Sequence, residues 1–473
     1  MSTQFDKPSS PAEHWARLFS AQRLGSHKKA PAQDSARSSF HKDYDRLVFS
    51  HSFRQLNQKT QVHPLTNQLG IHTRLTHSLE VSCIGRSLGV MAAEKLHDKL
   101  EGGLPDGVTP ADVGVIVQAA CLAHDIGNPP FGHAGEYAIR DWFMHSERQA
   151  VLQNMSSNEQ LDLLAYEGNA QGFRILTRNE HHPDLGGMRL TCATLGAFMK
   201  YPWLATHSND ISQNTQQSSA STKVQKFGCF YSEAAQLEEL AACLSLPRSK
   251  QHDGFARHPL AYLLEAADDI CYALIDLEDG INLNMLTYTE VAAIFYELIG
   301  ERPSTISLPA HMSVRQHLAS LRARAMMRLV NAVTDAFVTN SDAMLAGTLQ
   351  GSLFAHCDAT VQSGITQAKE LAREKIFNHP SKVRMELMAN QCLHRLLDAF
   401  MPLTWTNQPS APMSFEQQRL LMLLKPHLDE HHRILSDDIY QNMLNVLDFI
   451  TGMNDHEAYR LAQELQGHWG TVV

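Results

Sequence analysis

Apolar residues recur at three- and four-residue intervals along most of this chain. The strict alternation of Val, Ile and Thr that marks half-buried strands is scarce. The pattern predicts an all-α protein with few or no strands. The uninterrupted apolar run from Val115 to Ala123 reads as a buried helix. It delivers His124 and Asp125 side by side, then breaks at Gly127 and Pro129-Pro130. An imidazole beside a carboxylate at the end of a buried helix is costly to bury without a partner, and a divalent metal satisfies both.

Three regions follow from the pattern. Residues 1–36 are rich in Ser, Pro and Ala and read as a mobile arm, with one short helix near Trp15 to Leu24. Residues 37–290 carry the informative helices and read as the core of the protein. Residues 291–473 read as helix after helix packed on that core, broken at Gly300-Pro303, Pro309, His379-Pro380, Pro402 to Pro412 and Gly452. The polar stretch 206–222 reads as a mobile loop within the core region.

Within the core, Phe40 to Gln61 has amphipathic helical spacing. Two readings stay open there: a solvated surface helix, or Arg54 or Gln61 facing a phosphate or sugar. Arg74 and His77 share one face of the next helix. A histidine so placed is more often a satisfied core residue. The second helix ending in His124-Asp125 shifts the reading toward a shared metal, because helical bundles draw ligands from facing helices. Glu159 to Leu176 reads as helical, with Tyr166-Glu167-Gly168-Asn169-Ala170-Gln171 either lining a pocket or starting a helix. Lys200, near a helix C-terminus, is either a dipole complement or a phosphate ligand. A third helix runs from His258 to Asp276, with Asp268, Tyr272 and Asp276 stepping by four along one face. Asp268 is the choice for a fourth ligand, since Asp269 points about a hundred degrees away.

Composition narrows the class. The chain has 473 residues, 43% hydrophobic and 19% charged, as ordinary globular proteins do. A net charge of −10 argues against a large basic surface for duplex DNA. Eight cysteines without a CxxC read as free thiols of a reducing compartment. With no signal peptide and no long apolar run, the expectation is a cytoplasmic, non-membrane protein.

Two histidines and two aspartates from three helices suit one hard-to-borderline divalent ion with positions open for water and substrate. His133 and Glu136, three apart past a tight loop, have the chemistry of an acid/base pair, with the carboxylate fixing the imidazole. The class of reaction is metal-assisted hydrolysis of a phosphate ester or anhydride.

His77, His124-Asp125 and Asp268 resemble the H…HD…D signature of HD-domain phosphohydrolases. More closely, the chain is similar to deoxyguanosine triphosphate triphosphohydrolases and related dNTP triphosphohydrolases. The resemblance runs through Asp43-Tyr44-Asp45-Arg46, Phe53-Arg54-Gln55-Leu56, Lys59-Thr60-Gln61-Val62, Arg74 to Val81, Ala123 to His133, Tyr166 to Gln171, Gly187 to Thr191, Lys200-Tyr201-Pro202, Ala267 to Tyr272 and Asp448 to Met453. It implies an HD-domain helical bundle with additional C-terminal helices. It also implies cleavage of a deoxynucleoside triphosphate, dGTP first, to deoxynucleoside and inorganic tripolyphosphate. His77, His124, Asp125 and Asp268 would bind one divalent ion, Mg²⁺ or Mn²⁺ before Fe, Co, Ni or Zn. His133 and Glu136 would be the catalytic pair. Gln61 and Tyr272 would sit against the sugar, Asp276 would support the sugar or the residues around the metal ligands, Arg74 and Lys200 would hold phosphates, and Arg54 would complete the substrate site. The resemblance further implies a homo-oligomer, often a hexamer, with a nucleotide or single-stranded DNA as activator. Two other functions remain to be separated: an HD phosphohydrolase of nucleoside monophosphates or an alarmone, and a non-catalytic nucleotide- or single-strand-binding regulator.

Overall fold

The computed structural model describes residues 10–25, 37–60, 72–180, 187–206, 226–405, 413–427 and 436–468. Gln61 and the expected loop, from 207 onward, lie outside them. Among the described residues there are helices and isolated β-bridges but no strand. No helix there is long and apolar enough to cross a membrane.

The helices that position the site are α1 (Pro11–Leu18), α2 (Ser39–Phe49), α3 (Arg74–Lys99), α4 (Pro110–Ala123), α5 (His133–Met144), α6 (Gly168–Arg174), α7 (Cys192–Phe198), α8 (Pro259–Asn282), α9 (Val314–Thr339), α10 (Pro380–Phe400), α11 (Ile439–Gly452) and α12 (Asp455–Glu464). Their starts follow from local chemistry. Thr73 and Thr109 close capping boxes at α3 and α4, and Pro110 and Pro259 occupy first-turn positions whose missing N–H costs nothing. α3 and α4 pack closely enough that a Cβ on Gly89 would meet the Gly114 Cα at 2.9 Å.

Two departures from the sequence pattern have physical causes. The N-terminal stretch expected as a mobile arm carries α1 docked on the body, with Trp15 and Leu18 buried and Trp15 stacked on Phe19. The three apolar residues outweigh the polar text around them. The helix expected over Glu159 to Leu176 is interrupted between Leu164 and Gly168. There the Tyr166 carbonyl accepts from Arg140 and the Gly168 N–H donates to Glu136, so backbone groups serve α5 instead of a helix.

Among the described residues, the buried apolar side chains form two clusters. One gathers α1–α4, α7, α8 and α9. The other gathers α5, α10, α11 and α12. The segment 127–132 crosses from the first cluster, which holds Ile126, to the second, which holds Phe131. Arg174 ties α6 to α11: it is fully buried and reaches Glu233 at 2.7 Å and Asp448 at 2.9 Å.

α8 begins on a buried histidine. His258 Nε2 donates to the Leu18 carbonyl at 3.0 Å, and Nδ1 accepts from the Leu260 N–H at 3.0 Å. Both roles need a neutral ring. Burial pushes its pKa down to about 4 against the opposing pull of the Leu18 carbonyl. An unfolded imidazole titrates at about 6.5, so between those values the unfolded chain holds the extra proton. Stability is therefore lost as pH falls from 6.5 through 4, by about 3 kcal/mol from this group. Denaturant titrations should show a steeper loss of stability over this window in the wild type than in His258→Asn. Equal slopes would contradict the assignment.

Candidate metal centre

Arg74 and His77 lie in the first turn of α3, and His77 is almost fully buried. His124 is the C-cap of α4. Its Nδ1 lies 2.7 Å from the Cys121 carbonyl, which can only accept, so the proton is on Nδ1 and the Nε2 lone pair faces inward. Asp268 comes from the middle of α8. His77, His124 and Asp125 each present one donor atom within 4.8 Å of the others. Asp268 Oδ1 lies 3.1 Å from His77 Nε2 and 3.5 Å from His124 Nε2, and His124 Nε2 lies 3.6 Å from Asp125 Oδ1. An octahedral ion with bonds of about 2.1 Å places adjacent donors about 3 Å apart, close to these separations.

Asp125 supplies the sharpest test of fit. Its Oδ1 accepts from Arg74 at 2.8 Å and from Asn128 at 2.5 Å. Its Oδ2 is buried with no hydrogen-bond partner. A buried carboxylate oxygen without a donor is costly, and a cation at the cluster satisfies it. Burial pushes the Asp125 and Asp268 carboxyls up, but the surrounding cations outweigh it: Arg74 first for Asp125, Lys200 first for Asp268, whose Oδ2 it reaches at 2.6 Å. Both are held below the ordinary carboxylate range, in the ionised form that ligates. The residues present therefore fit a divalent ion.

The remaining expected residues divide. Tyr272 stands edge-on to His77 with ring centroids 5.7 Å apart. Asp276, one turn on, is buried with Oδ2 unpartnered, and burial pushes its pKa up to about 7. Arg74 and Lys200 are engaged on the two ligand carboxylates. Arg54 is exposed on the short helix His51–Gln55 and makes no hydrogen bond or ion pair to the cluster.

His133 and Glu136 sit on α5, but no hydrogen bond joins them. Glu136 turns inward, where its Oε1 accepts from the Gly168 N–H at 2.8 Å and Arg140 stands 3.9 Å from Oε2. The expected carboxylate–imidazole contact is thus replaced by an interior bond that suits a buried carboxylate better. Burial, ahead of the opposing Arg140, pushes the Glu136 pKa up. His133 is exposed. Partial loss of solvent, then Lys226 and Arg74, lowers its pKa, so the ring is neutral near pH 7.

Gly132 shapes the approach to α5. Its φ is +61°, and a Cβ there would come within 2.3 Å of an Arg74 guanidinium nitrogen. Asn128, which sequence reasoning passed over, grips Asp125. Its place three residues on is the spacing at which an amide reaches back.

An HD-domain family model matches residues 74–171, which hold His77, His124, Asp125, His133 and Glu136. Asp268 lies beyond that segment. The chain is 45% identical over 456 residues to the deoxyguanosinetriphosphate triphosphohydrolase-like protein of Pseudomonas aeruginosa, covering 96% of this chain and 98% of that one. It is 39% identical to the like-named protein of Synechocystis, covering 96% and 99%. The chain belongs to the HD-domain, deoxyguanosinetriphosphate triphosphohydrolase-like family. It is also 31% identical to the deoxyguanosinetriphosphate triphosphohydrolase of Cronobacter sakazakii over 77% of each chain. The all-α fold is the one expected of this HD family.

Proposed function

We propose that this protein hydrolyses a deoxynucleoside triphosphate, dGTP first among them, to deoxynucleoside and inorganic tripolyphosphate. The observation that carries the reading is the buried His77–His124–Asp125 cluster, with Asp268 against it and an Asp125 oxygen left for a cation. The names of the relatives support the substrate class. His77, His124, Asp125 and Asp268 hold one divalent ion, with Mg²⁺ or Mn²⁺ the first to try. When bound, such an ion polarises a phosphoryl oxygen and makes a coordinated water more acidic. His133, neutral near pH 7, accepts a proton from the attacking water at the solvent side of the cluster. Glu136 supplies a buried carboxylate on the same helix. Tyr272, which stands edge-on to His77, takes the deoxyribose in this reading. Arg74 and Lys200 set the carboxylate geometry and add positive charge where phosphate enters.

Each of the four dNTPs, incubated with Mg²⁺ or Mn²⁺, tests this. At least one should yield nucleoside and tripolyphosphate in equal amounts. Release of monophosphate and pyrophosphate would show that a different bond is cut. Turnover of only monophosphates or an alarmone, or binding without turnover, would contradict the reading.

A further inference from the structure

The motif Asp448 to Met453, and Asp455 two residues after it, take no part in the chemistry above, yet they reach the loop that leads to His133. Asp455, the first residue of α12, is fully buried more than three hundred residues from that loop. Its Oδ1 accepts from the Phe131 N–H at 2.8 Å. Its Oδ2 accepts from the Thr60 N–H at 3.0 Å and the Thr60 hydroxyl at 2.6 Å. Beside it, the buried Lys59 ammonium donates to the Asn128 carbonyl at 2.8 Å and to the Thr451 carbonyl, at the end of α11, at 2.6 Å.

These bonds fall where the loop needs them. Phe131 has φ +65°, a left-handed conformation that a bulky residue adopts only at a cost. Gly132 follows, also at positive φ, and then His133 opens α5. The loop also spans the seam between the two apolar clusters, so neither cluster fixes it alone.

We infer that Asp455 is a positioning residue for the reaction: with Lys59 it locks the backbone of 128–131 and so sets where His133 stands relative to the metal ligands. This rests on the reading of His133 as the proton acceptor. The brace couples α11 and α12, at the far end of the chain, to the reactive centre.

The isosteric change Asp455→Asn separates bracing from packing. Both oxygens of Asp455 face backbone N–H donors, at Phe131 and Thr60. An amide offers one oxygen, so either orientation sets its NH₂ against a donor. Packing alone would leave Asp455→Asn close to wild type. The brace predicts instead that amide hydrogen exchange over 128–132 accelerates at least about tenfold, and that kcat falls at least about tenfold with KM within about threefold and metal content unchanged. Arg460→Ala serves as control, because it removes only an exposed ion pair to Glu464 on the same helix. It should change neither the loop exchange nor kcat. Unchanged exchange over 128–132 in Asp455→Asn would overturn the inference. So would faster exchange with kcat near the wild-type value, or an equal kcat loss in Arg460→Ala. If the wild type turns over no dNTP, the exchange measurement still decides the brace, and the failure belongs to the proposed reaction.

Discussion

Replacing His124 with alanine is expected to abolish tripolyphosphate release, lowering kcat/KM by at least about a thousandfold. The size follows from the geometry. His124 Nε2 lies within 3.6 Å of both Asp125 and Asp268, and its tautomer is set by the Cys121 carbonyl. Its removal takes a neutral donor from the centre of the cluster and leaves two carboxylates facing each other with less to hold between them. Because His124 is a C-cap whose side-chain hydrogen bond goes to its own turn, the fold should survive, and circular dichroism should match the wild type. Turnover within tenfold of wild type would remove His124 from the centre.

Glu136→Gln is expected to do something different. The amide keeps the volume and still offers an oxygen to the Gly168 N–H. Metal content should therefore be unchanged, while kcat falls by at least about tenfold through loss of the buried carboxylate's charge. The absence of a hydrogen bond between Glu136 and His133 makes this informative. If the carboxylate acts only through its interior bond to Gly168, Gln will substitute for it and the rate will hold. A single-turnover assay with dGTP separates the two, since it reads the chemical step without product release.

The helices were largely legible in the sequence because their apolar faces repeat at helical spacing and their ends carry capping residues. The run Val115 to Ala123 lies within α4, and Asp268, Tyr272 and Asp276 share a face of α8 because a step of four does so on any helix. The convergence of His77, His124 and Asp125 was readable for a chemical reason: buried imidazoles and carboxylates need a partner. What the spacing could not give was direction. His133 and Glu136, three apart, read as a pair, but the side chains diverge because Gly168 and Arg140 draw the carboxylate inward. The bracing contacts of Asp455 and Lys59 are not legible in the sequence because their partners are backbone groups far along the chain, and no periodicity records such contacts. For Arg54, amphipathic spacing left a solvated face and a phosphate contact both open, and spacing does not say which way a short exposed helix faces.

The count of divalent ions per chain, measured by metal analysis after dialysis against Mn²⁺, bears most directly on the whole account. One ion per wild-type chain and none in His124→Ala is the expected result. No ion in the wild type, or one retained when His124 is gone, would contradict it.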